Sequence, residues 1–129
     1  MAQYDDIEIL EQKAEEDLLG AEILLDCDHE LPALVGFHLQ QFLEKKMKAS
    51  LQRHDVDYPR THDLSMLLDM FPQGKVSEDD EIFVQVLSQF AVDSRYGEYT
   101  EPPWDSDQML KKAKDFAKFL ETLWEGPAD

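Results

Sequence analysis

Hydrophobic residues recur at spacings of three and four along most of the chain. Ile7, Leu10, Ala14, Leu18, Ala21 and Leu25 are separated by 3, 4, 4, 3 and 4 positions, which puts them on one stripe of a 3.6-residue helix. The spacing predicts a first helix from Asp5 to about Asp26, with Glu8, Glu11, Glu15 and Glu16 beside and behind the stripe. Cys27-Asp28-His29-Glu30 interrupts it. A second helix opens near Pro32, whose missing N–H costs nothing in a first turn, and runs to roughly Gln52 or His54. Val35, Leu39, Phe42, Leu43 and Ala49 share one arc of it. Pro59 disfavours helical geometry at Tyr58 and fixes a break.

Three further helices follow. Thr61 is a suitable N-cap for a short third helix, with Leu64, Leu67, Leu68 and Phe71 on its apolar face and Pro72-Gln73-Gly74 at its end. Ser77 caps the fourth, with Glu78, Asp79 and Asp80 in the first turn, where the helix dipole favours acids; Phe83, Val86, Leu87, Phe90 and Ala91 form its apolar face. DSRYGEYTEPPW is the longest irregular connection. Asp105, with Gln108 three residues on, marks the start of the last helix. Leu110, Ala113, Ala117, Leu120 and Trp124 make its stripe, and Gly126-Pro127 closes it. The pattern predicts an all-α fold, an antiparallel up-and-down helical bundle of four long helices plus one short one. The 129 residues, 43% of them hydrophobic, are enough for a single domain over residues 1–129 with its own core.

Charge narrows the function. The chain carries a formal net charge of −17, which argues against broad binding to nucleic acid or to anionic membranes. No apolar run approaches the ~20 residues that cross a bilayer, and no basic segment followed by an apolar one marks a signal peptide. Cys27 is the only cysteine, so no internal disulfide is possible and a reducing cytoplasmic location is expected. His38, His54 and His62 are too scattered for a zinc signature. The five glycines are not clustered into a phosphate loop, so neither a metal nor a cofactor is called for.

One stretch departs from the acidic background. From Leu34 to His62 the cations Lys45, Lys46, Lys48, Arg53 and Arg60 face only Glu44, Asp55 and Asp57, a net +2 inside a chain whose remainder carries −19. His38, Gln41, Lys45, Lys48 and Gln52 recur at 3, 4, 3 and 4 on a polar stripe of the second helix. Elsewhere a wet face here is rich in Asp and Glu; this one carries His, Gln and Lys, donors suited to phosphates and base edges. A locally basic strip can steer an anionic ligand. The competing reading is that these cations pair with acidic helices beside them, each surface pair giving ~0–1 kcal/mol.

These residues also carry a resemblance. Phe37-His38-Leu39-Gln40-Gln41 leads into Glu44-Lys45 and Lys48-Ala49; Pro59-x-Thr61-His62-Asp63-Leu64 and Leu67 follow; Arg95-Tyr96 lies in the late loop, and Ala113, Ala117 and Leu120 keep an Ala-x-x-x-Ala-x-x-Leu rhythm. In order and spacing the chain resembles the HEPN family, the higher eukaryotes and prokaryotes nucleotide-binding domain, over nearly its whole length. The resemblance implies a helical bundle that often dimerises and often sits beside a minimal nucleotidyltransferase, in some cases within toxin–antitoxin-like systems. Its ribonuclease members share an Arg followed by His after four to six residues. None of Arg53, Arg60 and Arg95 is followed by such a His, so the usual ribonuclease motif is absent.

Three readings remain. The first is a binding module in which His38, Gln41, Lys45, Lys48, Arg53, Asp63 and Tyr96 recognise a nucleotide or RNA phosphate, with a nucleotidyltransferase-type partner. The second is a non-standard, metal-independent ribonuclease with His62 and Arg95 as catalytic residues, since cleavage needs a base, an acid and a cation. His62 is expected in the first turn of the third helix, whose N-terminus keeps an imidazole neutral and can hold a phosphate; Asp63 in the same turn opposes an anion. The third is a non-catalytic homodimer whose polar seam is structural, with His38 bonding across to another helix such as at Asp63.

Overall fold

The computed structural model of the protein describes residues 6–91 and 99–125. They form five α-helices: α1 (Ile7–Asp26), α2 (Pro32–Arg53), α3 (Leu64–Leu68), α4 (Glu78–Ser88) and α5 (Ser106–Thr122). The predicted all-helical bundle is the fold observed. α2 is its axis and packs against all four other helices, α1 being its most extensive neighbour.

Local chemistry sets the helix ends. Asp6 caps α1 by accepting from the Glu8 N–H at 2.8 Å. Pro32 opens α2. At the other end of α2, Val56 N–H donates to the Leu51 carbonyl and Asp55 N–H to that of Gln52. This pair of bonds is a Schellman ending, and Asp55 supplies the left-handed backbone it requires, at φ 59°. Ser77–Asp80 and Asp105–Gln108 are reciprocal capping boxes at α4 and α5.

The start of α3 differs from expectation. Its N-cap is Asp63, which accepts from Ser65 N–H at 2.9 Å. Thr61 lies two residues earlier, its hydroxyl accepting from the Asp63 N–H. The carboxylate two residues on outcompetes the hydroxyl for the helix terminus, so His62 precedes the cap and is not in the first turn. The Leu64 N–H donates to Ser88 Oγ, tying this entry to the end of α4.

All five helices contribute to one buried cluster. Leu39, Leu43, Met47 and Leu51 of α2 are at its centre, against Ala14 and Leu18 of α1, Leu64 and Leu67 of α3, Leu87 of α4 and Leu120 of α5. Each buried Leu or Met side chain contributes ~1.5–3 kcal/mol on leaving water. Gly36 permits the closest approach: a Cβ there would lie 2.6 Å from Cγ of Phe90. At the far end of α2, Trp124 stacks on His54 at 4.0 Å and donates from Nε1 to Ser50 Oγ.

Candidate functional site

Because α2 is packed on several sides, its buried arc is wide enough to take in polar residues. Gln40 is fully buried and Glu44 is 5% exposed. Burial alone would raise the Glu44 carboxyl, but hydrogen bonds from Gln40, Lys48 and His62 and the Lys48 charge hold it below the ordinary carboxylate range. Its Oε1 accepts from Gln40 Nε2 at 3.0 Å and meets His62 Nδ1 at 2.9 Å; its Oε2 accepts from Lys48 Nζ at 3.0 Å. Gln40 Nε2 also donates to the His62 carbonyl at 2.9 Å. One α2 turn therefore fixes both the backbone and the ring of His62 from beneath.

A second group of the same composition lies farther along the seam. Asp17 of α1 meets His38 Nδ1 through Oδ1 at 3.0 Å, and its Oδ2 accepts from Lys45 Nζ. Gln41 joins the two groups: Lys45 Nζ donates to Gln41 Oε1, and Gln41 Nε2 donates to Gln40 Oε1 at 2.7 Å. The result is a continuous network from His38 to His62. No buried side-chain nitrogen or oxygen among the described residues lacks a partner.

The structure thus brings together His38, Gln41, Lys45, Lys48 and His62. It puts Arg53 elsewhere, on Glu11 at 3.0 Å, a carboxylate shared with Lys46. Burial tends to raise Glu11, but its bonds to Lys46 and Arg53 and their charges lower it overall. Asp63 is occupied as the α3 cap, and His38 pairs with Asp17 instead of Asp63. Arg95 and Tyr96 lie outside the described residues.

Three participants escaped the sequence pattern: Asp17, Gln40 and Glu44. Gln40 and Glu44 are one helical turn apart, a spacing that allows mutual bonding. Their burial, however, follows from α2 being central, which periodicity within one helix does not reveal.

Electrostatically the seam is balanced. Lys45 and Lys48 are offset by Asp17 and Glu44, so the local excess of cations is largely taken up by pairing. The two histidines differ in access: the side chain of His62 is 47% exposed, that of His38 28%. At the His62 corner, Lys48 Nζ also lies over the Tyr58 ring, 5.9 Å from its centre, and Tyr58 Oη donates to Gln52 Oε1 at 2.7 Å. A carboxylate on Nδ1 fixes the ring so that Nε2 is turned away from Glu44. This arrangement can donate to an anionic oxygen or, with a neutral ring, accept a proton.

No group of three or more His, Cys, Asp and Glu is placed to hold a metal among the described residues. No helix among them is long and apolar enough to cross a membrane. The model of the HEPN domain family matches residues 7–123. No curated protein and no solved structure matches the chain.

Proposed function

We propose, from the premise that this chain belongs to the HEPN domain family, that the corner formed by Lys48, Tyr58 and His62 binds a phosphate of a nucleotide or RNA. The observation carrying this reading is a half-exposed His62 held at Nδ1 by buried Glu44 and sharing that carboxylate with Lys48. An imidazole N–H and an ammonium at one corner are strong donors to a phosphate oxygen. Lys45 and His38, clamped on Asp17 between two helices, take a supporting role. Contact is local and salt-sensitive, because the chain as a whole, at −17, repels a polyanion.

Thermal unfolding against a panel of nucleotides and a short RNA tests this. A ligand at about 100 times its Kd stabilises by ~2.7 kcal/mol. The expected rise in Tm fades with salt and with Lys48→Ala, and persists in Lys45→Ala once the lower starting Tm is subtracted. A flat profile with every nucleotide and RNA counts against the reading. The family tie also supports a homodimer acting with a nucleotidyltransferase-type partner, which would supply the basic surface this chain lacks. Sedimentation of the protein alone, and with a purified minimal nucleotidyltransferase, checks both.

The Glu44–His62 pair favours a second reading, a non-standard ribonuclease with His62 as base. Lys48, on the same carboxylate, is then the cation beside it. It predicts that His62→Ala abolishes RNA cleavage with the fold intact; no cleavage by the unmutated protein sinks it.

A further inference from the structure

We propose that the outer flank of the α1–α2 hairpin end is a docking surface for a basic amphipathic helix of a partner protein. The inference is independent of the phosphate reading and uses a different surface. Leu19 and Ile23 of α1 are 56% and 60% exposed, and Leu31 and Leu34 at the start of α2 are 39% and 44% exposed. Leu19 and Ile23 are one turn apart on α1 and share a face. A Cβ on Gly20 would meet His38 at 3.5 Å. Since the helices run in opposite directions through a short connection, one turn from that contact brings Ile23 level with Leu34. Gly20 adds no side chain there, and the four exposed residues make up the apolar trough of this proposal.

The charge around this trough identifies its occupant. Between Lys13 and Lys45 the sequence has no Lys or Arg and eight acids. Asp17 and Glu44 are consumed by the internal network. The other six, Glu15, Glu16, Glu22, Asp26, Asp28 and Glu30, make no ion pair among the described residues. A second copy would bring the same acids against them, and an anionic lipid surface or RNA would be repelled. A helix with an apolar stripe and Lys or Arg along its flanks satisfies both features: the stripe covers the leucines and isoleucine, and the cations meet the acidic rim.

The test uses the whole protein and a synthetic helical peptide of about 18 residues, with Leu at i, i+3, i+4 and i+7 and Lys elsewhere, titrated by fluorescence anisotropy. A scrambled peptide of identical composition controls for attraction to the acidic chain. The patterned peptide is expected to bind at least about tenfold more tightly than the scrambled one, and the double variant Ile23→Ser/Leu34→Ser to remove that advantage. Equal binding of the two peptides, or an unchanged advantage in the variant, overturns the proposal. Hydrogen exchange on the unmutated protein gives a readout that needs no variant: the peptide is expected to protect residues 19–38, and protection confined to α4 or α5 overturns it. Sedimentation without peptide adds a third arm. A dimer that Ile23→Ser/Leu34→Ser dissociates assigns the trough to a second copy and likewise overturns it.

Discussion

The polar seam has two ends built from the same parts. Asp17, His38 and Lys45 form one; Glu44, His62 and Lys48 form the other. In each, a carboxylate meets a histidine Nδ1 at 3.0 or 2.9 Å and accepts from a lysine. They differ in what they connect. The first joins two long helices, so its histidine is a cross-brace. The second joins a helix to the segment before α3, with a carboxylate 5% exposed beneath a histidine side chain 47% exposed. Identical chemistry becomes a fastening in one place and a presented group in the other, because of the backbone that carries it.

The largest expected effect separates the two carboxylates. Glu44→Ala leaves largely buried Lys48 without its carboxylate and Gln40 with only the His62 carbonyl, and costs about 3 kcal/mol or more. Asp17→Ala, at a wetter position, costs about 1–2 kcal/mol. Denaturant unfolding of both variants checks the order, and equal losses would erase the distinction.

Acid titration sharpens it. The Glu44 carboxyl is held below its ordinary value of 4.5 in the folded chain, so its contribution is complete above that value and is lost as pH falls through the folded one. Acidification also relieves self-repulsion among the many other acids. The stability difference between the native protein and Glu44→Gln cancels that common term. It is expected to be constant above about pH 5 and to shrink below pH 4.5; a difference that grows on acidification would reverse the assignment.

Smaller effects probe the segment carrying His62. Asp63→Ala removes the α3 cap and costs ~1 kcal/mol, measurable as a shift in denaturant midpoint. His62→Ala and His38→Ala each remove one bond to a carboxylate, and each is expected to cost ~1 kcal/mol. If His62 proves the costlier of the two, its role is structural.

The sequence made most of the fold legible. Apolar spacing gave α1 and α2 to within two residues, and Ser77, Asp105 and Gln108 announced the caps of α4 and α5. The entry to α3 misled because Thr61 and Asp63 are both competent caps and only the surrounding packing selects between them. At the site, the polar stripe named His38, Gln41, Lys45 and Lys48, which the structure joins in one network. It missed their acceptors, because Asp17 comes from another helix and Glu44 owes its burial to neighbours on several sides of α2. Arg53 lies within the basic stretch but faces Glu11, a pairing set by how α1 lies across α2.

The most direct measurement is an NMR titration of the histidine ring signals with a nucleotide and with a short RNA. If His62 presents a phosphate-binding corner and His38 is a brace, the His62 signals move in a saturable, salt-dependent way while those of His38 stay near their starting positions. Unmoved His62 signals at saturating ligand, or equal movement of both rings, would contradict the account.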